Sequence, residues 1–282
     1  MKIGFQGLKG AYSQGAIYSY FGINTETIGY ESFYDVFRAL ENQEIDYGVV
    51  PIENSIGGSV AENYDLLLKE DVYVVGEIYF RIVNSLLGIP GVKLDDIKAV
   101  YSHPQPLRQS KEFLREHNIR EYPVYDTAGA AKIVSEKEDK NTGAIAHEIC
   151  ADIYGLEIIK KGIESNKTNT TRFFVVARRN ERSVGVTDKT TLAFKTKHYP
   201  GALADCLKVF DWFELNMTKI ESRPIPDSPW EYAFYIEFEG GMNSEIVQKA
   251  MDKLRTKALD VKILGSYPAG NKGNYFASKS TK

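Results

Sequence analysis

Cysteine is scarce in this chain of 282 residues: only Cys150 and Cys206 occur, each inside a stretch with helical apolar spacing. Two thiols without a framework spacing exclude a disulfide scaffold and point to a reducing compartment, so the expected location is cytoplasmic. Long apolar runs are lacking too. None reaches the ~20 residues of a membrane-spanning helix, and no membrane partner is expected. The opening MKIGFQG passes straight into a strand-like segment without the apolar core of a signal peptide. Charge of one sign is missing: 35 Lys and Arg are interspersed with 38 Asp and Glu, for a net charge of −3. That leaves no electrostatic footprint for nucleic acid. Histidine is limited to four residues. His147 and Cys150 lie one helical turn apart but lack a second ligand pair, so no metal is expected.

What is present is the makeup of a globular protein, 43% hydrophobic and 26% charged, with length enough for more than one core. Over residues 1–180, short apolar runs alternate with helical patterns. KIGFQG (2–7) reads as a strand and Ser13 to Phe21 as a helix. Phe33, Phe37 and Leu40 then fall at helical spacing behind Ser32, a capping residue. DYGVVPI (46–52) is a buried strand, and VAENYDLLLKE a helix with Ser59 as its cap. This alternation predicts an α/β region with a parallel sheet covered on both faces. Long apolar strands within 72–89 read as crossovers between two α/β lobes, the second spanning about 80–160. The charged, aperiodic NERSVGVTDK (180–189) reads as a linker. Beyond it, over 188–270, strands at 190–197, 217–224, 232–239 and 261–268 and helices at 201–213 and 244–257 give the order βαββαβ.

Polar stretches fall at strand ends, where open α/β sheets bind ligands. In GLKGAYSQGA (7–16), two glycines precede a helix that Ser13 is placed to cap; free N–H groups there favour an anion, although a tight turn explains the glycines equally well. It is neither a Walker A loop nor a G-x-G-x-x-G fingerprint. VVPIENSIGGS (49–59) presents Glu53, Asn54 and Ser55 after a proline-stopped strand. In YSHPQPLRQS (101–110), a turn and a short helix aim Ser102 and Gln109 at one cleft; His103 lacks an acid partner and is expected to be exposed and not catalytic. NKTNTTRFFVV (166–176) packs Asn169, Thr170, Thr171 and Arg172 against an apolar strand. Donors without an acid among them suit an anion or a leaving group that needs a hydrogen bond, while the threonines alone also favour extended backbone. No G-x-S-x-G elbow is present, which argues against an α/β-hydrolase.

Taken in order, GLKGAYS, VVPIENSIGGS, YSHPQP with Gln109, and N-x-TRF (Asn169, Thr171, Arg172, Phe173) resemble the signature segments of prephenate dehydratase. PGALA (200–204) and ESRP (221–224) resemble the phenylalanine-binding elements of its ACT regulatory domain, and the likeness runs from about residue 3 to about 268. No chorismate mutase segment precedes Lys2, so the expectation is the monofunctional form. The resemblance implies a two-lobed catalytic region of the type 2 periplasmic-binding-protein-like fold (1–180) and an α+β ACT domain (188–270). It also implies conversion of prephenate to phenylpyruvate with no cofactor. Thr171 would stand at the departing hydroxyl, with Asn54, Ser55, Ser102 and Gln109 positioning the carboxylates or the pyruvyl group. Ala11, Tyr12 and Ser13 would supply the anion-binding helix start, with Glu53, Thr170 and Phe173 completing the substrate site. Arg172 would pair a substrate carboxylate or Glu53. L-Phenylalanine would be held between ACT domains of neighbouring subunits of a homodimer or homotetramer, by Gly201, Ala202, Leu203, Glu221, Ser222, Arg223 and Pro224. His198 would join them, at a position where the family commonly has Asn. Two rivals remain: arogenate dehydratase, and a non-catalytic amino-acid-binding sensor on the same fold.

Overall fold

The computed structural model describes residues 1–179, 186–225 and 231–270; residues 180–185 of the expected linker lie outside these. The first lobe runs β1 (Lys2–Gln6), α1 (Tyr12–Phe21), β2 (Glu26–Tyr30), α2 (Phe33–Glu41), β3 (Tyr47–Asn54), β4 (Gly58–Ser59), α3 (Ala61–Lys69) and β5 (Val72–Arg81). Helix α2 starts where its sequence says: Ser32 and Asp35 form a reciprocal capping box, and Val36, Phe37 and Leu40 make the buried stripe. Two expected caps move. Helix α1 starts one residue earlier, with Ala11 as N-cap, so Ser13 lies inside the first turn. Ser59 is taken up by β4, which pairs with β3, and α3 begins after Val60.

The second lobe comprises β6 (Ser85–Gly88), β7 (Ala99–Ser102), α4 (Pro104–Gln109), α5 (Lys111–Glu116), β8 (Arg120–Pro123), α6 (Thr127–Lys137), β9 (Thr142–Ala146), α7 (Ile149–Tyr154) and β10 (Glu157–Lys161), with sheet order β10-β6-β9-β7-β8. One face of its sheet packs small side chains, Ala128, Ala131, Ala144 and Ala146, around Leu87, Val134 and Cys150, while Leu86, Val100, Leu107, Leu114 and Ile145 form a second, larger-chained cluster. Burial pushes the Cys150 thiol up to about 12, far from a reactive thiolate. His147 packs edge-on against Tyr12, and burial lowers it to about 4.

The chain then returns to the first lobe as β11 (Thr170–Arg178), antiparallel to both β3 and β5. The first-lobe sheet is therefore mixed, where the alternating pattern predicts a parallel one. Strands β2, β1 and β3 are parallel, but the strand closing the detour into the second lobe must run backwards. Two crossings, 82–84 and 162–169, join the lobes, the arrangement of the type 2 periplasmic-binding-protein-like fold.

The remaining elements are β12 (Lys189–Lys195), α8 (Ala202–Trp212), β13 (Met217–Pro224), β14 (Tyr232–Glu239), α9 (Glu245–Lys257) and β15 (Asp260–Tyr267), the βαββαβ order. Helices α8 and α9 cover one face through Val209, Phe210, Met251 and Leu254. The other face does not stay solvated. Ala193, Ala233, Tyr235, Leu264 and Tyr267 share a core with Tyr64, Leu67 and Phe174 of the first lobe. At the seam β15 meets β5 in parallel at Gly265 and Val74, making one ten-stranded sheet among the described residues. A Cβ on Gly265 would lie 2.4 Å from the Val74 carbonyl oxygen, so only glycine allows the approach. Among the described residues no helix is long and apolar enough to cross a membrane.

Candidate active site

A cavity of about 500 Å³ opens between the lobes. Gln6 and Gly7 at the end of β1, Ala11, Tyr12 and Ser13 at the start of α1, and Asn54 at the end of β3 line it from the first lobe. Gln105 and Gln109 of α4 and Asp126 and Thr127 at the start of α6 line it from the second. Ile82 and Asn169 come from the crossings, and Thr171 and Phe173 from β11. Strand geometry explains the selection on β11. Alternate side chains take opposite faces, so Thr171 and Phe173 reach the cavity while Thr170 and Arg172 do not.

The register of β11 on β3 sets Thr171 opposite Asn54. The Asn54 carbonyl accepts from the backbone N–H groups of Ile56 (3.0 Å) and Gly57 (2.8 Å), which fixes the turn after β3. Its amide then donates to Asn169 Oδ1 (2.8 Å) and to Thr171 Oγ1 (3.0 Å). A hydroxyl that already accepts is polarised towards donation, and its proton is left for a group in the cavity. Gln109 has a similar bias. Its Oε1 accepts from Asn169 Nδ2 (3.0 Å), while its Nε2 has no acceptor among the described residues.

Among the described residues no Lys or Arg lines the cavity. Positive potential comes instead from α1, whose N-cap Ala11 has no side-chain capping bond. The N–H groups of Tyr12 and Ser13 find no acceptor among the described residues, and the macrodipole favours an anion there. Asp126 caps α6 through Gly129 N–H (2.5 Å) and is the acid of the cavity. His103, expected to be exposed, is half-buried and lines the cavity. It caps α4, where its Nδ1 accepts from Gln105 N–H (3.2 Å). Burial lowers its pKa despite nearby Asp126, so the ring is neutral at pH 7.

Several expected site residues stand elsewhere. Ser102 was expected to share a cleft with Gln109, but it is fully buried and its hydroxyl donates to Ile145 O (2.6 Å). It sits on a central strand of the second lobe, where the backbone beside it takes its proton. Ser55 is exposed and accepts from Thr170 N–H (3.0 Å), tying the loop to β11. Thr170 turns its hydroxyl to Thr168 O (3.3 Å). Arg172 is buried in an ionic cluster, with its guanidinium fork on Glu237 of β14 and with Glu77 (3.3 Å) and Glu53 (3.2 Å) beside it. Of the two roles open to it, these contacts match the pinning one and add a partner from β14, beyond the two lobes. Lys189 joins the cluster through Glu77 (2.8 Å) and Glu237 (3.1 Å). Glu53, on the face opposite the cavity, pairs with Arg172 and Lys219.

The 221–224 strand behaves likewise. Lys219, Glu221 and Arg223, alternate residues of β13, face the first lobe and meet Glu53 (3.1 Å), Ser59 and Asp65 (3.0 Å) in turn. Ser222 and Pro224 point to solvent. His198 and Gly201 are exposed, Leu203 half-buried and Ala202 buried; Gly201 starts α8 at φ 89°, in the left-handed region. No hydrogen bond joins the 198–203 and 221–224 stretches within one chain, among the described residues. Sequence reasoning missed Asp126 and Thr127, although YDTAGAA carries the signal of a capped helix start.

Comparisons with known proteins bear on the family of the chain. The prephenate dehydratase family model matches residues 3–181. Arogenate dehydratase/prephenate dehydratase 1 of Arabidopsis thaliana is 40% identical over 285 residues, covering 95% of this chain and 72% of that protein. The bifunctional chorismate mutase/prephenate dehydratase of Aquifex aeolicus is 37% identical, covering 95% and 74%. Among solved structures, the prephenate dehydratase of Arthrobacter aurescens in complex with L-Phe superposes with a TM-score of 0.87 at 27% identity, covering 95% of this chain and 90% of that one. GqqA, described as a novel type of quorum quenching acylase, superposes at 0.89 with 32% identity, covering 95% and 98%. A family model spanning most of the two-lobed region, relatives matched along nearly the whole chain and a cleft built from the same four segments give one conclusion: this chain belongs to the prephenate dehydratase family.

Proposed function

We propose that the interlobe cavity converts prephenate to phenylpyruvate, with Thr171 as the donor to the departing hydroxyl. The observation that carries this reading is the Asn54 amide on Thr171 Oγ1 (3.0 Å), which leaves the threonine proton directed at whatever occupies the cavity. In the reaction the ring–carboxylate bond breaks, its electron pair enters the ring, and the opposite C–O bond breaks to release hydroxide with carbon dioxide. Aromatisation supplies the driving force. The protein's task is to orient a dianion and stabilise the leaving oxygen. The uncapped start of α1 suits one carboxylate, and Gln109 Nε2 a second acceptor of the substrate. An amide hydrolase, as GqqA's description raises, would need a base beside its nucleophile; the partner of Thr171 is an amide, which takes no proton.

One observation favours a second reading. Asp126 puts a carboxylate in the cavity wall, and arogenate carries an ammonium where prephenate has a keto oxygen. The assay below includes both substrates.

Control by L-phenylalanine is proposed at the exposed faces of the 198–203 and 221–224 stretches, between subunits of a homodimer or homotetramer in the cytoplasm. The outer edge of β13, which pairs with no strand among the described residues, and the free, buried thiols support that reading. Signal would pass along β13, whose inward side chains grip the Glu53–Ser59 loop. Lys219→Met is therefore expected to leave turnover within about threefold while weakening phenylalanine inhibition by roughly 5- to 100-fold, the span of a typical coupling energy. Inhibition curves for the two proteins decide it, and an unchanged curve removes β13 from the route.

The decisive experiment measures phenylpyruvate from prephenate and phenylalanine from arogenate, with and without L-phenylalanine. Prephenate turnover that phenylalanine suppresses is the expected result. Turnover of arogenate alone would install the second reading, and folded protein silent on both would leave an amino-acid-binding sensor.

A further inference from the structure

Asn84 lies in the first crossing between the lobes, fully buried and outside the cavity lining. Its polar groups nonetheless join both crossings to the site. Its N–H donates to Glu164 Oε2 (2.9 Å), and its carbonyl accepts from Ile163 N–H (3.0 Å), both in the second crossing. Its Oδ1 accepts from the Tyr12 hydroxyl (2.8 Å), while its Nδ2 faces Gln109 Oε1 and Ser110 Oγ, each at 3.4 Å.

The direction of every amide in this chain of contacts follows from two backbone groups that can only donate. Ile56 and Gly57 N–H point at Asn54 Oδ1, so Asn54 must turn its Nδ2 to Asn169. Asn169 therefore presents Oδ1 to Asn54 and Nδ2 to Gln109. Gln109 answers with Oε1, and Asn84, facing that same oxygen, must also present a donor. With Oε1 occupied from both sides, the Gln109 Nε2 is what remains for the cavity.

We propose that Asn84 is a positioning residue for the reaction: with Asn169 it clamps Gln109 Oε1 from both interlobe crossings, so that Nε2 faces the substrate. Without Asn84 the Gln109 side chain keeps one anchor and gains the freedom to turn its amide. Asn84 touches no reacting atom and can act only through the side chains it holds, Gln109 and the Tyr12 hydroxyl. The Gln109→Leu background separates these routes, since a loss routed through Tyr12 would persist there. The inference rests on the proposed activity, and the test separates the two.

Asn84→Leu, similar in size but without donors, is assayed on prephenate alone and combined with Gln109→Leu, with thermal midpoints measured alongside. Asn84→Leu is expected to lower kcat/KM by roughly 10- to 100-fold, the cost of a misaligned site group. In the Gln109→Leu background it is expected to change kcat/KM by less than about twofold, because the group it aims has gone. Wild-type kcat/KM in Asn84→Leu, or losses that multiply in the double variant, would overturn the inference. Should Asn84→Leu not fold, Asn84→Ser, whose hydroxyl is too short to reach Gln109, is read by the same criteria. A wild-type chain inactive on prephenate and arogenate counts against the proposed function; an active one indifferent to residue 84 counts against this inference alone.

Discussion

Thr171→Ala is expected to lower kcat on prephenate by roughly 10²- to 10³-fold, the loss typical of removing one donor aimed at charge that develops in the transition state. KM should change by less than about threefold, since the departing hydroxyl gains its charge only as the bond breaks. The geometry behind this is specific. Asn54 Nδ2 occupies one lone pair of Thr171 Oγ1, Thr171 is 8% exposed, and the apolar run Phe173–Val176 behind it anchors β11 in the core. Thr171→Ser, which keeps the hydroxyl but loses the β-methyl that restricts its rotamer, should recover most of the activity. Steady-state kinetics on the two variants decide the matter. An alanine variant with ordinary kcat would remove Thr171 from the chemistry. Equal losses in both variants would show that packing rather than the hydroxyl matters.

The second large effect concerns stability. Glu237→Gln is expected to destabilise the protein by about 3–5 kcal/mol at pH 7, because Arg172 and Lys189 stay buried with much of their compensation removed. Glu237 is 1% exposed and holds Arg172 Nη2 at 2.7 Å and Lys189 Nζ at 3.1 Å. Burial by itself would raise its carboxyl, but Arg172 and Lys189 outweigh that and hold it below the ordinary 4.5. A carboxyl lowered in the folded state gives stability that is present above its unfolded value and lost as pH falls through the folded one. Wild-type stability should therefore drop below about pH 4.5, and that part of the acid loss should be absent from Glu237→Gln. Urea denaturation across pH 3–7 is the measurement. A variant within about 1 kcal/mol of wild type at pH 7 would mean that the cluster is hydrated or rearranges, contrary to its burial. Because Arg172 neighbours Thr171 on β11, activity assays of the same variant also report whether β14 steadies the strand that carries Thr171.

How much was legible beforehand depends on the range of the interaction that decides each feature. Helix α2 was readable because its cap and its apolar stripe are local, with Ser32 and Asp35 three positions apart. The βαββαβ order was readable because each element has its own period and its own turn. Helix α1 was misjudged at its start because a turn from Leu8 to Ala11, with Gly10 at positive φ and its N–H held by Gln14 Oε1 (2.6 Å), settles the cap without Ser13. Ser102 looked like a partner of Gln109 because both frame one motif, yet strand β7 points its hydroxyl at Ile145 of β9. Arg172 looked like an anion binder because it sits among hydroxyls. The two-residue period of β11 sends it to the face opposite Thr171, where Glu77 and Glu237 wait.

The sequence by itself determined the local periods, the α2 cap, the α/β and βαββαβ divisions, and the segments from which a cleft would be made. Those features depend on neighbours a few residues away, and composition and spacing encode them directly. Only the tertiary structure decided which side chains of those segments face the cavity and which amide of each pair is turned inward. It also decided that Asn84, Asp126 and Glu237 belong to the account at all. Such choices are made by strand register and by hydrogen-bonding partners about 50 to 170 positions away, as with Ile56 and Gly57 orienting Gln109 through Asn54 and Asn169, or Glu53 meeting Lys219. A spacing rule cannot carry that information, because the partners are distant in sequence and only the tertiary fold makes them neighbours.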